Sequence, residues 1–229
     1  MRSVILTRDN GSDKRQTICI LSAHFWPYYP RYGTAHPYTL GKTLVEAGYR
    51  VKVVTTFPQE IDGSISSRYN SKLVVREQHE GMEFCRVWTL QKFRIGILRK
   101  VLLNISFSLC SLFALFFMRD ADLVFGVDPD APFLLFPSRV YSLFLGSRYL
   151  LLVTDLWPDV VFDYKIASSS FVRRLLTIVS VISYRCSDAI LVITRGLKDN
   201  IQRYFVPAEK VEVVELGVNM SVFKPLEIS

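Results

Sequence analysis

Acidic side chains follow two of the most apolar runs of the sequence. Asp128 comes after one run, and Asp155 and Asp159 come after the next. Asp155, Asp159 and Asp163 are spaced four residues apart, so they would share one face of a helix. Carboxylates held together in this way must bind a cation, accept hydrogen bonds from donors such as sugar hydroxyls, or lie in water. A binding site and a capped helix with a solvated face are therefore both open at this stage.

An aromatic and proline-rich segment, residues 24–34, follows the first apolar run. It contains a phenylalanine, a tryptophan, three tyrosines and two prolines, and it ends in Gly33 and Thr34. Ring faces and prolines suit stacking against a sugar or a lipid, and so many exposed aromatic side chains are costly without a partner. The alternative is a rigid surface loop in which Gly33 supplies a turn.

The elements that must position these side chains are seven short runs rich in β-branched residues, most of them separated by segments of helix length. Such alternation is typical of parallel strands joined by crossover helices. The sequence therefore predicts an α/β fold with a mostly parallel sheet and helices on both faces. The predicted strands are residues 18–22, 51–55, 84–88, 123–127, 149–153, 189–193 and 211–214, with a further short strand around 73–75.

The first crossover is the best-defined helix of this pattern. Pro37 suits its first turn, Leu40, Leu44 and Ala47 fall on one face, and Gly48 supplies the stop.

The carboxyl ends of parallel strands meet at one edge of a sheet. We therefore expect the aromatic segment and the two acidic clusters to converge on one cleft.

An uncharged stretch runs from Val101 to Met118, and its 18 residues are the lower limit for a helix that spans a membrane. A spanning helix would split the sheet between two compartments. A buried crossover helix and an apolar helix lying in the membrane interface both keep the sheet intact. The sequence leaves these three alternatives open.

Basic residues flank this stretch and a second predicted helix, Phe171–Tyr184. A core-facing helix with a solvated basic face explains the second helix by itself. Together the two helices favour contact with anionic lipid. The residues expected to make this contact are Arg99, Lys100, Arg119, Arg173, Arg174 and Arg185.

The composition bounds the class of protein. The 229 residues are 50% hydrophobic and 21% charged, which excludes a disordered chain, a collagen and a disulfide scaffold. The net charge of +7 favours a polyanionic partner such as nucleic acid, a phosphorylated substrate or an anionic membrane. Four scattered cysteines and the lack of a secretory signal favour a reducing, cytosolic compartment. We expect residues 1–16 to be a polar, mobile extension.

Two nucleotide-binding motifs are missing from the sequence. The triplet Gly41-Lys42-Thr43 matches the end of a phosphate-binding loop, but His36 occupies the position where that motif needs its first glycine. The triplet also falls inside the predicted first helix, whereas phosphate is bound by a loop that precedes a helix. No G-x-G-x-x-G follows the first strand, which argues against a dinucleotide-dependent oxidoreductase. We expect no cofactor.

Eight different short motifs follow one another along the chain. They cover residues 24–34, 44–58, 81–83, 86–89, 155–159, 193–198, 217–219 and 223–225. With these motifs the chain resembles the N-terminal half of family-4 glycosyltransferases of the GT-B fold. It is most similar to the branch that builds bacterial and archaeal surface polysaccharides, and the resemblance runs from Ile18 to Pro225. Tyr32 stands where the family usually has the first of two glycines, and Val127 stands where it often has a histidine.

The resemblance implies one Rossmann-like domain over residues 17–216, followed by a truncated interdomain linker over residues 217–229. Family members transfer a sugar from a nucleotide-diphosphate sugar to an acceptor, with retention of configuration and without a required metal. The acceptor is often polyprenyl-linked and lies at the inner membrane face. The N-terminal half holds the acceptor, and the C-terminal half binds the donor.

The resemblance thus implies the acceptor-side domain of a hexosyltransferase-like enzyme, cytoplasmic and peripheral at the inner face of the cell membrane. Nucleotide sugar would bind only with a C-terminal half, which a separate polypeptide could supply, and no nucleic-acid partner or metal is expected. The alternatives are a non-catalytic homologue that binds a glycolipid or a partner protein, and a plain nucleotide-binding module. No catalytic residue is assigned. The expected acceptor-binding residues are Gly33, Thr34, Asp128, Asp155, Trp157 and Asp159.

Overall fold

A computed structural model describes residues 15–25, 35–58, 65–90, 96–127, 131–156, 159, 170–215 and 217. The strands within these residues are β1 (Thr17–Leu21), β2 (Arg50–Thr56), β3 (Val74–His79), β4 (Met82–Val87), β5 (Leu123–Val127), β6 (Arg148–Val153), β7 (Ala189–Val192) and β8 (Val211–Val213). The α-helices are α1 (Ala35–Glu46), α2 (Gly96–Ala114), α3 (Ala131–Leu145), α4 (Ser170–Cys186) and α5 (Arg195–Gln202). Short 3-10 helices cover Ser67–Tyr69, Leu115–Phe117 and Ala208–Lys210.

All eight strands form one sheet in the order β3-β4-β2-β1-β5-β6-β7-β8. Every neighbouring pair is parallel except β3 and β4. Glu80 and Gly81 join that antiparallel pair with φ values of 46° and 78°, as in a two-residue hairpin turn of type I′. The predicted α/β fold with a mostly parallel sheet is confirmed.

The two faces of the sheet carry separate cores, because neighbouring residues of a strand point to opposite sides. In β1, Ile18 and Ile20 pack with residues of α1, on what we call the α1 face. Cys19 and Leu21 pack on the other side. The helices α2, α3, α4 and α5 contribute buried side chains to that second core, so the prediction of helices on both faces is also confirmed.

Helix α1 ends as its sequence predicts. The backbone N–H of Gly48 donates to the carbonyl of Val45 at 2.9 Å, and that of Tyr49 donates to the carbonyl of Leu44 at 3.0 Å. This pair of bonds is the Schellman motif, which places a left-handed residue just beyond the helix. Gly48 takes that place with a φ of 93°, which a residue without a Cβ adopts at little cost.

The uncharged stretch forms most of α2 and the 3-10 helix that follows it. Leu103 and Phe107 lie buried against the sheet, whereas Ile105, Leu109 and Phe113 are exposed. The stretch is thus a crossover helix with two different apolar sides. Among the helices in the described part of the chain, none is long and apolar enough to cross a membrane.

The second predicted helix, Phe171–Tyr184, is α4 and extends slightly beyond both predicted ends. Helix α5 begins at a side-chain cap, since the Thr194 hydroxyl accepts a hydrogen bond from the backbone N–H of Leu197 at 3.2 Å. The sequence pattern of residues 131–145 did not by itself predict helix α3. It fills the crossover between β5 and β6.

Two aspartates tie strands together at the amino-terminal edge of the sheet. The Asp122 carboxylate accepts from the backbone N–H of Thr17 at 2.7 Å, and the Asp122 N–H donates to the carbonyl of Thr17 at 2.8 Å. Asp188 makes the same two bonds to Tyr149, at 2.7 and 2.8 Å. Each aspartate stands one residue before its own strand and clamps the residue opposite on the neighbouring strand.

Candidate functional site

The carboxyl ends of the parallel strands lie along one edge of the sheet, and the segments after those ends are where ligands bind in open α/β sheets. The first such segment follows β1. The backbone N–H of Ser22 donates to the carbonyl of Val54 at 3.1 Å, and the hydroxyl of Thr56 donates to the carbonyl of Ala23 at 3.0 Å. These bonds fix the start of the aromatic segment against the end of β2.

Phe25 anchors the same segment inside the α1 face. Its buried ring meets Phe84 edge to face with ring centroids 5.5 Å apart, and it meets Tyr38 at 6.1 Å. A Cβ added to Gly41 would lie 2.8 Å from the sulfur of Met82 and 3.4 Å from the Phe25 ring. Gly41 therefore allows the close approach of α1 to this cluster, and the triplet Gly41-Lys42-Thr43 lies inside α1, as the sequence predicts.

Asp155 lies at the carboxyl edge, two residues beyond the end of β6. Its side chain is exposed, while the neighbouring Leu156 is buried. Burial of Leu156 thus anchors the chain next to Asp155, and Asp155 is exposed beside the strand ends.

Asp159 has a specific partner that the sequence did not reveal. The hydroxyl of Tyr204 donates to Asp159 Oδ1 at 3.2 Å, across 45 residues of chain. Burial, and then the nearby Asp159 carboxylate, raise the pKa of Tyr204 to about 12, so the hydroxyl keeps its proton and stays a donor at neutral pH. The Tyr204 ring also packs against Tyr184 of α4, with centroids 5.9 Å apart. Asp159 is therefore tied to the helices behind the edge.

The remaining expected acceptor-binding residues lie outside the described residues. These are Gly33, Thr34, Asp128 and Trp157. Asp163, the third acid of the four-residue spacing, lies outside them as well. Of the expected set, the structure thus describes Asp155 and Asp159.

A partly buried ion pair lies near the carboxyl ends of β2 and β4, and sequence reasoning missed it. The Arg86 guanidinium donates to Glu77 at 2.8 Å and to the carbonyl of Thr56 at 3.3 Å. Tyr69 also donates to Glu77, at 2.7 Å. Burial by itself would raise the pKa of Glu77, but the hydrogen bonds from Arg86 and Tyr69 and the nearby positive charges lower that pKa overall. This network holds a charged arginine within the α1 face.

The basic residues expected to contact lipid lie on or beside the helices of the second core. Arg119 is exposed after the 3-10 helix, with its guanidinium carbon 5.8 Å from the Phe116 ring centroid. Arg173 and Arg174 are exposed in the first turns of α4, and Arg185 is exposed at its end. Arg99 and Lys100 lie in the first turns of α2. The described residues contain no group of three histidine, cysteine or acidic side chains that could hold a metal ion.

This architecture is that of one half of a GT-B glycosyltransferase. Sucrose-phosphate synthase from Thermosynechococcus elongatus is 17% identical, with a TM-score of 0.61 over 93% of this chain and 51% of the enzyme. HepE from Anabaena, solved in complex with UDP-glucose, is 12% identical, with a TM-score of 0.55 over 93% of this chain and 47% of HepE. UGT89C1 from Arabidopsis thaliana, solved with quercetin, is 13% identical, with a TM-score of 0.53 over 88% of this chain and 50% of UGT89C1.

The family follows from the sequence. The profile of the glycosyl transferase 4-like domain matches residues 34–217, and the chain belongs to that family. No curated protein sequence matches the chain significantly. The chain spans about half the length of the solved glycosyltransferases it resembles. The recognition of a GT-B N-terminal half from the sequence is thereby confirmed.

Proposed function

We propose that this chain is the acceptor-side domain of a retaining glycosyltransferase. The enzyme transfers a sugar from a nucleotide-diphosphate sugar to a polyprenyl-linked or glycan acceptor in surface polysaccharide or glycoconjugate synthesis. The observation that carries the proposal is the family match over residues 34–217, in a chain that spans half of its structural relatives. Residues 17–216 form the acceptor-side domain. A second domain, in the same polypeptide or another, holds the donor.

The acceptor binds at the carboxyl edge of the sheet in this proposal. Asp155 accepts hydrogen bonds from acceptor hydroxyls, and such charge-assisted bonds contribute about 1.5 to 3 kcal/mol each. The exposure of Asp155 beside the strand ends supports this role. Asp159 reaches the acceptor with one oxygen while the Tyr204 hydroxyl holds the other. Gly33, Thr34, Asp128 and Trp157 complete the proposed set.

The domain works at the cytoplasmic face of an anionic membrane, where a polyprenyl-linked acceptor resides. The exposure of Arg119, Arg173, Arg174 and Arg185 supports this placement. Each basic residue close to an anionic surface contributes about 1 kcal/mol of attraction. High salt should weaken that part of the binding, because it screens exposed charges.

Two alanine substitutions at the edge test the acceptor site. We expect Asp155→Ala and Asp159→Ala to reduce acceptor transfer in the complete enzyme far more than they lower the melting temperature. Asp199→Ala, which removes an exposed acid from α5, is the matched control and should change neither. If both edge variants lower the melting temperature and leave acceptor binding unchanged, the two acids are structural and the proposed site is wrong.

Calorimetry of this chain with nucleotide-diphosphate sugars tests the division of labour. UDP-glucose is the first donor to use, since HepE was solved in complex with it. We expect no measurable binding or turnover by residues 1–229 alone, because orientation of two reactants is typically worth about 7 to 11 kcal/mol of barrier and one domain orients a single reactant. Adding the donor-side domain should restore transfer. Micromolar donor binding by this chain alone would favour a nucleotide-binding module instead.

A further inference from the structure

Helices α2, α3 and α4 lie side by side on one face of the sheet. α2 packs against α3, and α3 packs against α4. The Tyr141 hydroxyl of α3 donates to the carbonyl of Ser111 in α2 at 2.7 Å, which joins the two helices directly. Their outer sides therefore form one continuous surface, which we call the three-helix face.

Each of the three helices turns a row of large apolar side chains toward that outer surface. In α3 the row is Phe136, Leu143 and Phe144, of which Leu143 is 65% exposed. The spacing of seven and eight residues keeps these side chains on one side of the helix. The row at the centre of the surface is therefore apolar along most of the length of α3.

The flanking helices repeat the arrangement. α2 exposes Ile105, Leu109 and Phe113 at intervals of four residues. α4 exposes Leu175, Ile178 and Ile182, a second helical stripe. The exposed apolar surface thus extends across all three helices, which is far more than scattered single side chains on a soluble surface.

The inner sides of α3 and α4 combine one large ring with small polar residues. Tyr141 of α3 and Tyr184 of α4 are buried in the second core. Buried beside them are four serines, Ser138, Ser142, Ser180 and Ser183. A helix that serves only a soluble core turns polar residues outward, whereas these two helices also turn large apolar residues outward. The outer surface therefore needs an apolar partner of its own.

The charge of these helices identifies that partner. α2, α3 and α4 contain no aspartate or glutamate, whereas α1 contains Glu46 and α5 contains Asp199. The charged residues within the three helices are all basic, and Arg119 follows the end of α2. Two copies of the chain docked through this surface would place arginines against arginines with no acid in these helices to pair them. An anionic lipid surface supplies negative headgroups for the border and acyl chains for the centre.

We infer that the three-helix face is a membrane-docking surface, in which the outward apolar side chains of α2, α3 and α4 insert into an anionic bilayer and the arginines contact its headgroups. This inference rests on the membrane placement of the proposed function and deepens it by adding α3 and an apolar, salt-resistant part of the binding. Crossover helices start at the carboxyl edge of the sheet. Docking through this face therefore brings the candidate acceptor site beside the bilayer, and Phe171, 74% exposed, lies in the first turn of α4, at the end of that helix which faces this edge.

Co-sedimentation with lipid vesicles is the first test. The full chain is mixed with vesicles of phosphatidylcholine, and of phosphatidylcholine with phosphatidylglycerol, at low and high salt. We expect binding to the anionic vesicles that high salt reduces and does not abolish. The variant Phe136→Ser/Leu143→Ser/Phe144→Ser should bind at least roughly tenfold more weakly, because each large apolar side chain contributes about that factor when buried. The matched control Leu73→Ser/Phe205→Ser removes exposed apolar side chains outside the three helices and should bind normally.

A second test measures fluorescence quenching and keeps the apolar surface intact. Phe144→Trp places an indole in the three-helix face, and Phe205→Trp places one outside it. Phospholipids brominated on their acyl chains should quench the fluorescence of the first variant much more than that of the second, because bromine quenches an indole on contact. Both variants share the native tryptophans, so their difference reports the introduced one.

The outcomes separate this inference from the proposed function. Equal vesicle binding by the serine variant and the control, or equal quenching of the two tryptophan variants, overturns the docking surface. Wild-type chain that binds no vesicle and forms a dimer abolished by the serine variant also overturns it, in favour of self-association. The acceptor site is judged separately, by transfer to a water-soluble acceptor analogue that requires no membrane.

Discussion

Helix α1 turns its large apolar side chains mainly toward the sheet, whereas α3 and α4 carry large apolar side chains on their outer sides as well. On the α1 face, Phe25, Met82 and Phe84 are buried and α1 covers them with partly buried side chains such as Leu44. On the three-helix face, buried serines point inward and exposed phenylalanines, leucines and isoleucines point outward. One face therefore completes its apolar packing within the chain, while the other leaves an apolar surface uncovered.

The two faces do not differ in how they treat buried polar groups. On the α1 face, the buried Arg86 has its partners in Glu77 and the carbonyl of Thr56, whereas the buried hydroxyl of Thr55 has no hydrogen-bond partner among the described residues. On the other face, the buried hydroxyl of Ser180 likewise has none among those residues. The faces therefore differ in where their large apolar side chains lie. Three sets of substitutions test this difference and the pairing of the buried groups.

The largest effect is expected from a matched pair of phenylalanine substitutions. Phe84→Ala opens a cavity beside Phe25 and should lower the free energy of unfolding by about 3 to 5 kcal/mol. Phe144→Ala removes an exposed ring and should change it by less than about 0.5 kcal/mol. Guanidinium denaturation of the two variants at equal temperature measures both values. Similar losses in the two variants would contradict the different burial of the two rings.

An intermediate effect is expected at the Arg86–Glu77 pair. Glu77→Gln removes the charge opposite a buried arginine and should cost about 2 kcal/mol at neutral pH, less than for a fully buried pair because Glu77 keeps some contact with water. Glu212→Gln, on the exposed side of β8, is the matched control and should cost little.

The same substitution should change the pH dependence of stability. The pKa of Glu77 is lowered in the folded chain, so its charged form stabilises the fold. That stabilisation is complete above the ordinary carboxyl pKa of 4.5 and is lost as pH falls through the lower, folded pKa. Below pH 4.5, the free energy of unfolding of the wild-type chain should therefore fall by more than that of Glu77→Gln. Parallel pH curves for the two chains would show that Glu77 carries no such linkage.

The smallest effect is expected at two buried serines, one within α4 and one just after its end. Ser180→Ala removes an unpaired buried hydroxyl and should raise the free energy of unfolding by up to about 1 kcal/mol. Ser187→Ala removes a hydroxyl that donates to the carbonyl of Tyr184 at 2.8 Å and should lower it by about 1 kcal/mol. The melting temperature should therefore rise in Ser180→Ala and fall in Ser187→Ala. A shift in the same direction for both would mean that Ser180 is paired as well.

The strands could be predicted from sequence because most are covered on both faces and read as continuous apolar runs. The run 123–127 coincides with β5, and most of the others differ by one or two residues at their ends. The end of α1 was equally readable, since Gly48 marks it by a backbone requirement. The individual pattern of α3 was not read as a helix, because Ser138 and Ser142 are buried while Phe136 and Phe144 are exposed, which conceals the usual link between hydropathy and burial.

The candidate site was readable in part. Asp155 could be placed at the carboxyl edge, because it follows a strand and strand ends share an edge. The contact between Asp159 and Tyr204 could not be foreseen, since it joins residues 45 positions apart with no motif between them. The pairing of Arg86 with Glu77 depends on the antiparallel register of β3 and β4, which a sequence does not display.

Two paired aspartates at the opposite end of the sheet set the alignment of strands far from the proposed acceptor site. Asp122 and Asp188 hold β1 to β5 and β6 to β7 at their amino-terminal ends, with two bonds each. A slip of one residue would break both bonds of a clamp and reverse the faces of every side chain beyond it. The loops at the other edge take no part in these clamps. Their length and sequence can therefore change without disturbing the alignment of these strands.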